Sequence, residues 1–119
     1  MLNDKEISEL SGALLTGVLT GAGSIVLILS NQSQILIQCD FFIQTREGAT
    51  EIGHGENPIS SVIIFPELNQ LIERAHLSKE MELSLYFSNK SMLNIKPERN
   101  GMESYVVTTK YGVSPVLLA

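Results

Sequence analysis

The chain has no tryptophan, a single cysteine and only two histidines, and no apolar run in it nears the roughly 20 residues that cross a bilayer as a helix. Each shortage excludes something. One thiol, Cys39, cannot close an intramolecular disulfide, so the chain is not a small secreted scaffold held together by bridges. Zinc needs three or four ligands, usually in paired spacings. His54, His76 and Cys39 lie far apart with no C-x-x-C or H-E-x-x-H, and no metal or cofactor is expected. Bases are scarce as well. Eight Lys and Arg stand against thirteen Asp and Glu, a net charge of -5, where a nucleic-acid surface would need a basic stripe. Gly12, Gly17, Gly21 and Gly23 match neither phosphate-binding glycine motif, because the first lacks its lysine and the second its spacing. The opening Met1-Leu2-Asn3-Asp4-Lys5-Glu6 is polar and mixed in charge, unlike a signal peptide. A cytoplasmic protein free of membrane is expected.

What the chain has is aliphatic alternation and self-similarity. Its 119 residues suit one domain, 1–119, rich in Ile, Leu and Val. Ser24 to Gln38 lies over Glu82 to Lys96 at a shift of about 58 positions, with the turns Ser30-Asn31-Gln32-Ser33 and Ser88-Asn89-Lys90-Ser91 coinciding. Upstream, Ile7, Leu10, Leu14 and Leu19 fall on Phe65, Leu68, Ile72 and Leu77. Downstream, after an insertion in the second copy, Phe42 to Gly48 resembles Val106 to Gly112. The repeats thus run over about 7–48 and 65–112. Each is too small to bury a sheet alone, so two must pack as one pseudo-symmetric body.

Within each repeat the pattern predicts a short helix followed by strands. Asn3 or Asp4 can cap a helix carrying Ile7, Leu10 and Leu14 on one side, and Asn57-Pro58 can open a second over Ile59 to Phe65. Strands are expected over 14–20, 24–29 and 34–38, and over 71–78, 82–87 and 92–96. Ile25-Val26-Leu27-Ile28-Leu29 lacks polar alternation and is expected to be buried on both faces, with the first hairpin at the sheet centre. Leu83 to Phe87 alternates and should keep one face wetter. The polar, glycine-rich stretch 48–58 reads as a surface linker with a short extended piece at Thr50 to Ile52. The fold class is α+β: mainly antiparallel β-sheet from two pseudo-symmetric helix-plus-hairpin units, with short helices packed on it.

Candidate chemistry is sparse. His54-Gly55-Glu56 is the one place where an imidazole and a carboxylate share a polar loop, and the flanking glycines would let a ligand approach the backbone. Metal or acid-base chemistry is conceivable there, but a plain polar loop is the expectation. Cys39 would need His54 or His76 as a base to act as a nucleophile; a free thiol packed as a small hydrophobe is far commoner. His76 is expected on an exposed strand face. No catalytic residue is assigned. Charge is the remaining signal: residues 1–67 hold eight acids against Lys5 and Arg46, whereas 68–119 hold five acids against six bases. Asp40, Glu47, Glu51 and Glu56, with His54 among them, therefore form the candidate surface for a basic partner.

Leu83-Ser84-Leu85-Tyr86-Phe87-Ser88-Asn89, then Met92-Leu93-Asn94-Ile95-Lys96-Pro97 and Glu103-Ser104-Tyr105, carry a family likeness. The chain resembles small bacterial immunity proteins that neutralise polymorphic or contact-dependent growth inhibition toxins, in particular those with an F-[SD]-[ND]-G turn and a Y-E-[AS]-W motif. Here Lys90 stands where the turn usually has Gly, Met102 precedes Glu103, and Tyr105 replaces the Trp. The resemblance implies a cytoplasmic antitoxin, not an enzyme. It would act as a monomer or in a 1:1 complex, covering the active site or substrate access of a cognate toxin domain. An acidic inhibitor suits a basic nuclease, whose own cationic surface binds nucleic acid. A small-molecule-binding or regulatory module using a cavity between the repeats is the alternative.

Overall fold

The computed structural model describes residues 1–119, and its elements confirm an α+β fold of two antiparallel five-stranded sheets with two short helices. Helix α1 (Asp4–Ser8) is followed by β1 (Leu15–Thr20), β2 (Ile25–Leu29), β3 (Gln34–Ile37), β4 (Asp40–Gln44) and β5 (Thr50–His54). A 3-10 turn (Pro58–Ser60), helix α2 (Ser61–Ile64) and a second 3-10 turn (Phe65–Glu67) then lead to β6 (Ile72–Leu77), β7 (Leu83–Phe87), β8 (Met92–Lys96), β9 (Glu103–Thr109) and β10 (Gly112–Leu117). One sheet has the order β1-β2-β3-β9-β10, the other β5-β4-β8-β7-β6. No helix is long and apolar enough to cross a membrane.

The two orders are related. Three strands of each half pair in sequence, and the following hairpin crosses to the other half: β9 pairs with β3, and β4 with β8. The likeness extends to single hydrogen bonds. Gln32 and Lys90 both take positive φ, 72° and 73°, and in each turn the Asn side chain accepts from the Ser amide two residues on, at 3.0 Å. A three-residue hairpin loop needs a left-handed residue at this point, which is why glycine suits it and why Gln32 and Lys90 must bear some strain. Just upstream, Leu14 N donates to Ser30 Oγ and Leu71 N to Ser88 Oγ, at 2.9 and 3.2 Å. Leu14 and Leu71 also bridge each other. Both β1 and β6 carry a register break after their first residue, between Leu15 and Gly17 and between Ile72 and Arg74. Leu14 therefore corresponds to Leu71, not to Ile72. The shift is 57 positions before the second strand and 58 after it, because the β6–β7 connection is one residue longer than the β1–β2 connection.

Several expectations are corrected. The stretch 48–58 is not simply a linker: Thr50–His54 pairs along its whole length with β4, from Asp40↔His54 to Gln44↔Thr50. Helix α1 ends at Ser8, so Leu14 lies beyond it and is half-exposed. Its N-cap is Asn3, whose side chain accepts from Glu6 N at 3.1 Å. Strand β2 is not buried on both faces; Ile25, Leu27 and Leu29 are buried while Val26 and Ile28 are partly open. In β7 four of five residues are buried. Neither hairpin is privileged as the centre, since β3 and β8 are the middle strands of their own sheets.

Between the sheets lies one cluster of 23 buried residues, contributed by both halves and by α1, with Tyr105, Phe41 and Phe87 the largest side chains. Each large aliphatic side chain buried there contributes about 1.5–3 kcal/mol. Tyr105 keeps its hydroxyl satisfied by donating to the Met81 carbonyl at 2.7 Å, and burial raises its pKa. Glu67 is buried without a cation beside it and accepts from Asn89 Nδ2 (2.9 Å) and Ser91 Oγ, tying the second hairpin turn to the end of the α2 segment.

Candidate functional site

The register of β4 and β5 sets Asp40 beside His54 at one end of the second sheet, with Lys96 on the other side of Asp40. His54 is held from behind. Its amide donates to Ser60 Oγ at 3.0 Å, and the Gly55 amide to the Cys39 carbonyl at 2.8 Å. A Cβ on Gly55 would stand 2.0 Å from the Ile37 carbonyl oxygen, and one on Gly53 would stand 2.7 Å from the Phe41 ring. The glycines flanking His54 thus admit the chain's own backbone and ring, not a ligand. The turn closes when Asn57 N donates to the His54 carbonyl at 2.9 Å.

Opposite His54 stands Glu98, in the connection between β8 and β9. That connection runs over 97–102, whereas its counterpart between β3 and β4 has only Gln38 and Cys39. The insertion that interrupts the repeat is therefore the segment that completes the site. It is shaped by hydrogen bonds from Glu98 N to Ser104 Oγ (3.0 Å), Asn100 Nδ2 to Glu98 Oε2 (3.2 Å) and Gly101 N to the Leu118 carbonyl (2.7 Å).

Around the imidazole, Nδ1 accepts the Glu56 amide at 3.1 Å, and Nε2 lies 2.9 Å from Glu98 Oε1. Asp40 Oδ1 is 4.0 Å from Nε2 and Glu56 Oε1 is 3.8 Å from Nδ1. An acceptor at Nδ1 places the neutral ring's proton on Nε2, where it is donated to Glu98. One ligand atom each from Asp40, His54 and Glu98 fall within 4.8 Å of one another, close enough to share a cation. A metal, however, would need the Nε2 lone pair and a proton on Nδ1, which faces an N–H. The hydrogen bonding commits the ring to Glu98.

Beside this group is a cleft of about 100 Å³ lined by, among others, Gln38, Glu56, Glu98 and Glu103. Gln38 Oε1 is buried with no partner. Cys39 also lines the cleft but is buried; burial first, then the neighbouring Glu98 and Asp40 charges, push its thiol up to about 12. It stays protonated at neutral pH, which denies it the thiolate a nucleophile needs.

Of the five residues expected to face a partner, the structure gathers Asp40, His54 and Glu56. It separates the other two. Glu47 lies in the turn between β4 and β5, and Glu51 pairs with Ile43 on the face opposite His54. His76 is exposed on β6, as expected. Glu98 and Glu103 were missed, and the repeat-breaking insertion was the signal that could have found them. No family model matches the chain, and no curated protein or solved structure is significantly similar to it.

Proposed function

We propose that this chain is an immunity protein, a cytoplasmic antitoxin that binds and inhibits a cognate toxin domain instead of catalysing a reaction. The observation that carries the reading is the chemistry of the His54 cleft. Three carboxylates converge on it: those of Glu56 and Glu103, and that of Glu98, whose oxygens already accept from His54 and Asn100. A lysine or arginine presented by a partner is the complement to such a lining. Asp40 adds negative charge at the rim, and the carboxylates near His54 come from three separate stretches of chain, so the fold and not a local acidic run assembles them. The resemblance to immunity proteins supplies the partner's class, and the acidity favours a basic nuclease, one toxin domain per chain.

Inhibition on this reading is steric and electrostatic: the cleft captures a cationic side chain that the nuclease uses to hold nucleic acid, and the body of the protein blocks access. Co-expression with a toxic domain encoded immediately upstream tests it. Survival together with co-purification of the pair is expected; survival without physical association would refute direct inhibition.

A further inference from the structure

Strands β1, β10, β5 and β6 form the edges of the two sheets, and three of them are guarded. Strands β1 and β6 carry register breaks, between Leu15 and Gly17 and between Ile72 and Arg74, and β10 carries Pro115 and a break between Val116 and Leu117. Strand β5 has neither device and pairs with β4 in unbroken register from Thr50 to His54. The bonds that frame this pairing run from Thr45 N to the Ala49 carbonyl and from Gly55 N to the Cys39 carbonyl, both 2.8 Å. Alternation therefore turns the amides and carbonyls of Thr50, Ile52 and His54 away from β4. His54 uses its pair on Ser60 Oγ and the Asn57 amide, whereas those of Thr50 and Ile52 have no partner in the chain. Beside this open edge runs a groove of about 520 Å³ whose other wall carries Ile59, Val62 and Ile63. Ile52 is 75%, Ile59 78% and Val62 60% exposed. Glu51 is the only charged residue lining the groove, and it makes no ion pair.

We infer that the β5 edge and this groove bind an extended segment of a second polypeptide, one with a lysine or arginine between two apolar residues, which joins the sheet as an added antiparallel strand. The backbone sets the form of the occupant. Reciprocal bonds to Thr50 and to Ile52 need donors and acceptors at strand spacing, which an extended chain supplies. The side chains set its sequence. Glu51, paired with the buried Ile43, points to the groove side, and so does the residue that would stand opposite it. A long basic side chain there lays its methylene stem along Ile59 and Val62 and sets its charge against the carboxylate. The residues opposite Thr50 and Ile52 point to the other face, where the exposed Ile52 side chain offers an apolar neighbour. Charge also excludes a second copy of this chain. Two β5 strands paired through both Thr50 and Ile52 would set Glu51 directly opposite Glu51, and pairing centred on Ile52 would need the groups that His54 has already used. The groove shares no lining residue with the His54 cleft, so this partner is distinct from the toxin domain proposed for that cleft and the two readings stand or fall separately.

Amide and methyl NMR of the full chain, titrated with the acetylated and amidated peptide threonine-valine-lysine-valine-threonine, tests this directly. Saturable shifts are expected at the Thr50 and Ile52 amides and the Ile59 and Val62 methyls, with a Kd of about 0.1–1 mM for so small a contact. Methylating both valine nitrogens of the peptide removes the donors that face Thr50 and Ile52 and should abolish binding. Replacing its lysine with glutamate should weaken binding about tenfold or more. In the protein, Glu51→Lys should invert the preference, so that the glutamate peptide binds better than the lysine one, a result that a folding defect would not produce. Absence of saturable shifts up to about 5 mM peptide would overturn the inference. Equal binding of the N-methylated peptide would do the same. So would shifts confined to His54, Glu56 and Glu98, which would send the lysine to the other cleft and leave the β5 edge empty.

Discussion

Replacing Gly55 with alanine tests whether the His54 turn is fixed by backbone crowding. The backbone angles of Gly55 are open to any residue, so space alone is at issue. The added Cβ would lie 2.0 Å from the Ile37 oxygen, 2.4 Å from its carbonyl carbon and 2.7 Å from Gln38 N. All three are backbone atoms at the end of β3, a middle strand that cannot give way. The turn must instead retreat by more than about 1 Å to reach ordinary contact distance. That retreat breaks the 2.8 Å bond from Gly55 N to the Cys39 carbonyl. Overpacking costs about 1–3 kcal/mol and the lost hydrogen bond about 1 kcal/mol, so the loss should be about 3 kcal/mol. For a chain of this size that lowers Tm by about 10 °C. Urea denaturation of Gly55→Ala should show it beside Gly23→Ala, whose Cβ meets nothing within 4 Å; that control should stay within about 1 kcal/mol of wild type. A Gly55→Ala protein within about 0.5 kcal/mol of wild type would refute the reasoning.

Two further predictions concern buried groups. Glu67→Ala should destabilise by about 2 kcal/mol, because Asn89 and Ser91 lose their buried acceptor. Glu67→Gln keeps an acceptor and sheds an unpaired buried charge, so it should fold nearly as well as wild type; equal urea midpoints for the two variants would contradict this. Cys39 should resist thiol reagents at pH 8 and react fully once unfolded, since its folded pKa is about 12. The sign of the linkage follows. The folded thiol keeps its proton while the unfolded one loses it near its ordinary value, so the thiol's contribution is intact below that value and is lost as pH rises toward 12. Cys39→Ala should lessen the alkaline loss of stability seen in pH-dependent melts.

Much of the architecture was legible because the same residues recur in the same order. The Ser-Asn-x-Ser turns mark both central hairpins, and alternation marks their strands. Two things were not. Strand β5 is short, polar and at a sheet edge, and its inner face at Gly53 is closed by Phe41 and Ser60, so its segment reads as a loop. The exchange of the β4–β5 and β9–β10 hairpins between halves is a tertiary choice that local pattern does not encode. The site divides in the same way. Asp40, His54 and Glu56 stood out by charge and proximity in the chain. Glu98 lies 44 residues from His54 and is brought to it only by the β4·β8 pairing and the inserted connection. Glu47 and Glu51 looked equivalent to Glu56, yet alternation and the turn carry them elsewhere.

The central claim is that the acceptor-lined cleft beside His54 takes a basic group from a toxin domain. Binding kinetics with that domain, comparing Glu56→Lys and Glu98→Lys with Glu47→Lys and Glu51→Lys, test it most directly. The first pair should weaken binding by about 30-fold or more, as expected when a desolvated charge contact is reversed, and the wild-type on-rate should fall as salt rises. The second pair should change affinity by less than about threefold. Equal effects from the two pairs, or an unchanged affinity in Glu56→Lys and Glu98→Lys, would contradict the account.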